Sequence, residues 1–200
     1  MTAKGPASRK SVLAGLVLAL WAGIVTSLSL TGYFERYRSA TLFAWGLAIP
    51  ALSYSAAYLG SATVRNWVRH LRGRALTYCE SPRFLGGTYL LWEYSQGRLP
   101  PAFSLIAGVS DIVVAVSAIP AAWFLVSGSG MHKPGFRAWH IFGLVCLGAS
   151  GSSGMLTSPG PMNTFPLVLI PTFFGPTMVL FHLAALSLRP VRSGSVNSGR

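Results

Sequence analysis

CESPRFLGGTYLLWEY, residues 79–94, decides how often this chain crosses a membrane, and therefore on which side every later loop lies. Its continuous apolar part runs from Phe84 to Tyr94. That is about 16 Å of helix at 1.5 Å per residue, short of the roughly 20 residues that cross a bilayer. Glu80, Pro82 and Arg83 close its N-terminal side, so it spans only if Ala75–Tyr78 or Gln96–Leu99 is recruited. Five longer apolar runs surround it, at Ser11–Leu30, Thr41–Ala62, Pro101–Val126, Phe136–Leu156 and Thr164–Leu188.

The distribution of Lys and Arg resolves the doubt. With six spans and the N-terminus inside, 13 basic residues fall on the inner side, and Arg36, Arg38 and Arg98 fall outside. If residues 79–94 do not cross, everything after them inverts and the count becomes 9 against 7. Cytoplasmic loops carry an excess of Lys and Arg, so the sequence predicts an all-α, six-helix transmembrane bundle with both termini cytoplasmic. A single domain is expected over 11–188, flanked by a basic disordered tail at 1–10 and a polar tail at 189–200.

Composition narrows the function classes. With 52% hydrophobic and 10% charged residues, no separate soluble domain fits within 200 residues. The net charge of +12 flanks apolar spans instead of forming a soluble basic face. It therefore speaks for the lipid bilayer as partner and against nucleic acid. The expected location is a cell's inner (plasma) membrane, multi-pass. Lys4, Arg9 and Lys10 before an apolar run imitate a signal peptide. The run is too long for an ordinary apolar region and no A-x-A site follows, which points to a retained first span. Cys79 and Cys146 lack metal-ligand spacing, no cofactor motif is present, and no constellation points to an enzyme.

Asp111 carries the sharpest signal. It lies about ten residues into its span, roughly 15 Å deep, where an acid costs about 2.5–3.5 kcal/mol to insert. Such a group must be neutral, paired or facing a wet cavity. Ser104, Ala107, Gly108, Asp111, Ala115, Ala118 and Ala122 form one helical stripe of small residues, with Ile106, Val109, Val113, Val116 and Trp123 opposite. Small stripes are where membrane helices approach closely, so Asp111 is expected to face the bundle. There it is either a packing hydrogen bond to a neighbouring helix or a proton- or cation-handling group. Tyr54 and Tyr58 share a helix face at a similar depth and are candidate partners, although ordinary packing also explains them. Glu93 is expected near a span end within reach of Arg98. Glu80 and Arg83, three apart, are expected to pair at another span end.

Two further patterns bear on function. Pro161, Pro166, Pro171 and Pro176 recur every five residues in the last span. Each internal proline removes a ladder bond, so a kink or break is expected between Pro166 and Pro176. Broken membrane helices line solute and ion sites in transporters, which makes Pro171 and Pro176 candidates. His140 and His182 could meet across adjacent helices, a geometry that a bis-His haem would need, although a second pair or a binding motif is missing. Gly148-Ala149-Ser150-Gly151 matches the G-x-S-G string around the serine of rhomboid intramembrane proteases. Ser150 and His182 lie at different depths, which excludes a nucleophile–base pair and leaves Gly148–Gly154 as a close-packing face.

The run Gly97-Arg98-Leu99-Pro100-Pro101-Ala102-Phe103 and then Ala107-Gly108-Val109-Ser110-Asp111 resembles a pattern of uncharacterised small bacterial multi-spanning integral membrane proteins, "GxLPxxFAxxAGxGD". Trp139-His140-Ile141-Phe142-Gly143 and Phe181-His182-Leu183 are similar to "WNxFG" and "LHLxSL" stretches of the same proteins, with His140 departing from the Asn. The resemblance implies a bacterial membrane location and weight on Asp111, and brings no activity with it. The function expected from the residues is small-molecule or ion permeation built on Asp111, Ser104, Tyr54, Tyr58, Pro171 and Pro176. The alternatives are a non-enzymatic assembly protein whose small faces bind its own copies or other membrane helices, and a haem- or quinone-linked redox protein using His140 and His182.

Overall fold

The computed structural model describes residues 6–126 and 134–188, which fold as an all-helical bundle. The long helices are α1 (Pro6–Leu30), α2 (Ser39–Gly60), α6 (Pro101–Phe124) and α7 (Pro134–Thr157). Shorter ones are α3 (Ala62–Arg69), α4 (Gly73–Tyr78), α5 (Arg83–Ser95) and α8 (Gly175–Leu186). Among the described residues, Val12–Leu30, α2 and α6 are long and apolar enough to cross a membrane, and Ile170–Leu186 is a shorter apolar helical stretch. Helix α1 already begins at Pro6, so half of the stretch expected as a tail is helical. Residues 1–5, the expected tail at 189–200, His132 and Lys133 lie outside the described residues.

The doubtful stretch at 79–94 is a broken helix. Pro82 has no amide hydrogen, and Glu80, Ser81, Arg83 and Phe84 close three-residue turns back to Thr77, Tyr78, Glu80 and Ser81, so α4 ends and α5 starts anew. The broken pair runs antiparallel along the whole of α6. At one end Arg74 donates to the carbonyls of Ala122 and Val126 (3.2 and 2.9 Å) and caps the C-terminus of α6. Midway, Gly87 meets Gly108. At the far end Gly97, at φ 70°, closes α5, with the Arg98 amide reaching the Glu93 carbonyl (3.1 Å) and the Gly97 amide that of Tyr94 (2.8 Å). Pro101 then opens α6 at its first turn, where a missing amide costs nothing.

Small residues set the helix spacings. On α6 the stripe from Ser104 through Ala107, Gly108, Ala115, Ala118 and Ala122 is buried, while Ile106, Val109, Val113, Val116 and Trp123 are exposed. On α7, a Cβ at Gly154 would stand 2.6 Å from the Phe43 ring of α2, and one at Gly151 would overlap Leu47. Gly148 has open space. Three apolar clusters fill the core. One is around Phe43, Leu90, Phe103 and Met162, one around Val68, Leu76, Phe136 and Ala185, and Leu147, Met178 and Val179 form the third.

The proline-rich span is α-helical only over Gly175–Leu186, not from Thr164 as its apolar length suggested. A 3₁₀ turn at Gly160–Asn163 and a loose turn precede a π-helical turn at Ile170–Phe174. The cause lies in the prolines: the Gly175 amide bonds to Ile170, and Pro176 has no hydrogen to give. With the Gly175 amide taken by Ile170, the π register calls on Pro176 for the Pro171 carbonyl and finds no hydrogen. That carbonyl lies against Gly46 of α2, where any Cβ would overlap it. Helix α1 joins this turn through the edge-to-face contact of Trp21 with Phe173, at 5.5 Å between centroids.

The α5–α6 contact is the tightest test of this packing. A Cβ at Gly87 would stand 2.6 Å from the Gly108 carbonyl, which is backbone and cannot rotate away. Gly87→Ala is expected to lower stability by about 1–3 kcal/mol, the usual cost of overpacking. Thermal unfolding in detergent would show it, with the control Val109→Leu on the exposed face unchanged.

Candidate functional site

The break between α4 and α5 delivers two charged side chains to the middle of the bundle. Glu80 is fully buried and Arg83 is 5% exposed, which corrects the expectation that they pair at a span end. The charges and Pro82 do end a helix, but the chain resumes as α5 instead of leaving the bundle. Arg83 sits between two carboxylates. Its Nε and Nη2 both donate to Asp111 Oδ1, at 2.9 and 2.6 Å. Its Nη1 lies 3.5 Å from Glu80 Oε2. Asp111 therefore faces the bundle, as its stripe indicated, but its partner is an arginine and not a hydroxyl or a backbone group.

Two histidines complete the cluster. His140 of α7 and His182 of α8 are both fully buried, with their Nδ1 atoms 2.8 Å apart. His182 Nε2 stands 3.2 Å from Glu80 Oε2 and 3.3 Å from Arg83 Nη1. His140 Nε2 meets Thr77 Oγ1 of α4 at 3.3 Å. Gly143 makes room for this, since a Cβ there would overlap the His182 ring. Phe136 and Trp139 pack edge-on against His140, closing the site with apolar surface. The pair does not fit a haem: two iron–nitrogen bonds of about 2 Å each would hold the ligating nitrogens about 4 Å apart, and these nitrogens are at hydrogen-bond distance. Among the described residues no group of His, Cys, Asp or Glu has the arrangement of a metal site.

A cavity of about 330 Å³ opens beside the Arg83–Asp111 pair. Its walls come from α2 (Phe43, Leu47), α5 (Leu85, Tyr89, Leu90), α6 (Phe103, Ala107), α7 (Leu147, Gly151) and the proline segment (Pro166, Ile170, Pro171, Phe174, Pro176). Arg83, Asp111 and Ser150 supply its polar groups. Leu85 and Phe174 line it and are themselves exposed, which puts its mouth between α5 and the π-helical turn. The prolines thus have a structural consequence at this site, because the irregular backbone they impose leaves the volume that a regular helix would fill.

The remaining candidates lie elsewhere. Ser104 is buried but donates to the Pro100 carbonyl in its own first turn (3.0 Å). Tyr54 stacks on Tyr58 and donates to Ser187 Oγ at 2.7 Å, tying α2 to the end of α8 instead of reaching Asp111. Ser150 donates to the Cys146 carbonyl and meets Ser110, while both nitrogens of His182 are engaged with the cluster. No serine–histidine pair forms between them. Glu93 and Arg98 do pair, at 2.5 and 3.0 Å, with the guanidinium 4.8 Å from the Trp92 ring centre. Sequence reasoning missed Glu80 and Arg83 as site residues. The signal was available, because a proline between two charges in an apolar stretch marks a broken membrane helix as well as a helix end.

Removing the arginine leaves two buried carboxylates facing each other, and breaking a buried pair in this way costs about 3–5 kcal/mol. Arg83→Gln is expected to lose most folded protein. Arg83→Lys should rescue only in part, since a single ammonium cannot reproduce three directed donors. Yield and monodispersity in size-exclusion chromatography measure both.

No curated protein and no solved structure matches the chain. Residues 40–188, from the second residue of α2 to just beyond α8, match the family model described as Domain of unknown function (DUF8737). The broken helix, the histidine pair and the cavity all lie within that match, and the chain belongs to this family.

Proposed function

We propose that the protein is a six-pass membrane protein of a bacterial inner (plasma) membrane that binds, and lets pass, a small and largely apolar solute carrying one polar group. The observation that carries this is the cavity, apolar over nearly all its wall and ending at the Arg83–Asp111 pair. Its volume falls at the lower end of ordinary small-molecule sites, which are apolar with a few convergent polar groups. The mouth between Leu85 and Phe174 faces the same way as exposed apolar side chains, so a solute dissolved in lipid can enter sideways. An assembly role for the small faces asks for a filled interior, and the cavity speaks against it.

Six crossings suit the packing. The spans are α1, α2, α4 with α5, α6, α7, and the π-helical turn with α8. Arg65 caps the C-terminus of α2 through the Tyr58 and Leu59 carbonyls (3.1 and 2.5 Å), and Arg74 caps that of α6. Both ends therefore share the basic side, as cytoplasmic ends should. With Arg83 inside the bundle and out of the count, the asymmetry is 12 against 3.

Two experiments follow. Single cysteines placed in 65–74 and 131–137, on a background lacking Cys79 and Cys146, are expected to label only after the membrane is opened. Labelling of 131–137 from intact cells would show that α4 and α5 do not cross. For the cavity, Gly86 lines it with no heavy atom nearer its Cβ position than Asp111 Oδ2 at 4.0 Å. Gly86→Phe should fold and fill the space. A thermal-shift screen of small amphiphiles should find ligands that stabilise the wild type and lose at least tenfold in affinity against Gly86→Phe. Ligands unaffected by that plug would place binding elsewhere.

A further inference from the structure

The polar cluster can be followed hydrogen by hydrogen. Thr77 Oγ1 lies 2.9 Å from the Gly73 carbonyl, which can only accept, so the hydroxyl hydrogen is spent there. Thr77 Oγ1 then accepts from His140, which places a hydrogen on His140 Nε2. A neutral His140 so protonated presents a lone pair at Nδ1, and the 2.8 Å contact requires His182 Nδ1 to donate to it. His182 in turn presents a lone pair at Nε2, directed at Glu80 Oε2, 3.2 Å away. An ionised Glu80 would set two acceptors against each other at that distance. The Arg83 donor at 3.3 Å can satisfy Nε2 but does not remove that conflict. Neither Glu80 oxygen has an aligned hydrogen-bond donor, although the residue is fully buried.

Charge gives the same answer independently. Among the described residues, Arg83 is the one cation in contact with two carboxylates, Asp111 from α6 and Glu80 from the break. Of the other titratable groups near them, Cys79, beside Glu80, and Cys146 of α7 bring no positive charge, which leaves the linked imidazoles of His140 and His182 to carry one. The α2 wall is Phe43, Gly46 and Leu47. Buried charges need compensation, and two carboxylates against one guanidinium leave one negative charge over.

We infer that Glu80 and His182 share one bound proton, and that this proton is exchangeable for a cationic group at Asp111. The proton sits as O–H on Glu80 donating to His182 Nε2, or as an extra N–H on the linked His140–His182 imidazoles, with His182 Nε2–H donating to Glu80. Either form resolves both the acceptor conflict and the charge excess. Asp111 alone of the two carboxylates lines the cavity. A cation arriving there supplies the missing positive charge, Arg83 Nη1 closes its 3.5 Å gap to Glu80, and the proton leaves the pair to solvent. The second half of this inference rests on the cavity being a solute site; the first half does not.

Infrared spectroscopy of the purified protein in lipid nanodiscs tests the first half. The wild type should show a protonated-carboxyl carbonyl band, or an imidazolium signature, that Glu80→Gln abolishes. Glu80→Gln should still fold, because its amide can donate to His182 Nε2. Asp111→Asn removes one negative charge and should weaken the signal, because the charge excess is gone while the contact of His182 with Glu80 remains. A wild type without either signature, or a signal that persists in Glu80→Gln, overturns the bound proton. Phenyltrimethylammonium, with benzenesulfonate as anionic control, tests the exchange. The cation should release about one proton per protein to an indicator dye and bleach the band, and the anion should do neither. Binding of the cation without proton release overturns the exchange and leaves the cavity as a site. Binding of no small amphiphile at all overturns the cavity reading instead, and leaves the infrared result standing.

Discussion

One guanidinium between two carboxylates, away from water, is the constraint around which the rest of this molecule is arranged. Arg83 must reach Asp111 on α6, Glu80 one turn back and His182 on α8 at once. A continuous helix through 73–95 would carry Glu80 and Arg83 on one face as neighbours, but would leave no gap for the α8 histidine beside them. The break at Pro82 supplies that gap. It holds only because Gly87 and Gly108 let α5 lie against α6, and Gly143 lets the His182 ring lie against α7. Three glycines on three helices therefore serve one ion cluster. Each is a place where packing, and not backbone conformation, requires the missing side chain.

Such a cluster is poor evidence for stability. Buried ion pairs often do no better than apolar residues of equal volume, because desolvation offsets the attraction. In a chain with 10% charged residues and four acids in all, placing two acids, an arginine and two histidines in contact is a costly arrangement for packing alone. Ionisable groups inside an apolar helical bundle are rare and costly, and are read first as functional. The adjoining cavity gives this cluster something to act upon.

Much of the fold was legible in the residues. The stripe of small side chains on the helix of Asp111 faces inward as its period indicated, because a helix period fixes a face without any knowledge of the partner. The proline series breaks its span for a local reason, the loss of amide hydrogens, and local reasons can be read from sequence. The meeting of His140 and His182 followed from depth along adjacent helices. The Arg83–Asp111 pair did not follow. It joins residues 28 apart across two helices, and its geometry depends on how α5 tilts after the break, which no periodicity encodes. Tyr54 went astray in depth: it packs with Val126 and Leu188 at the ends of α6 and α8 and bonds Ser187, well beyond the level of Asp111.

The break in α4–α5 and the π-helical turn in the last span lie on opposite sides of the same cavity, and this accounts for its shape. Regular helices of this apolar composition would close on each other through their small faces, where close packing is the main attraction. Two irregular segments facing each other cannot interdigitate ridge to groove, so space remains between them. One segment contributes its polar elements, Arg83 and through it Asp111. The other contributes a wall of Pro166, Pro171, Phe174 and Pro176, with the donor-less Pro171 carbonyl turned aside onto Gly46. The charged groups of the cavity therefore come from one side, and Ser150 of α7 adds a hydroxyl. The wall along the prolines is apolar, and the two charged groups that line the cavity, Arg83 and Asp111, are members of the ion cluster itself.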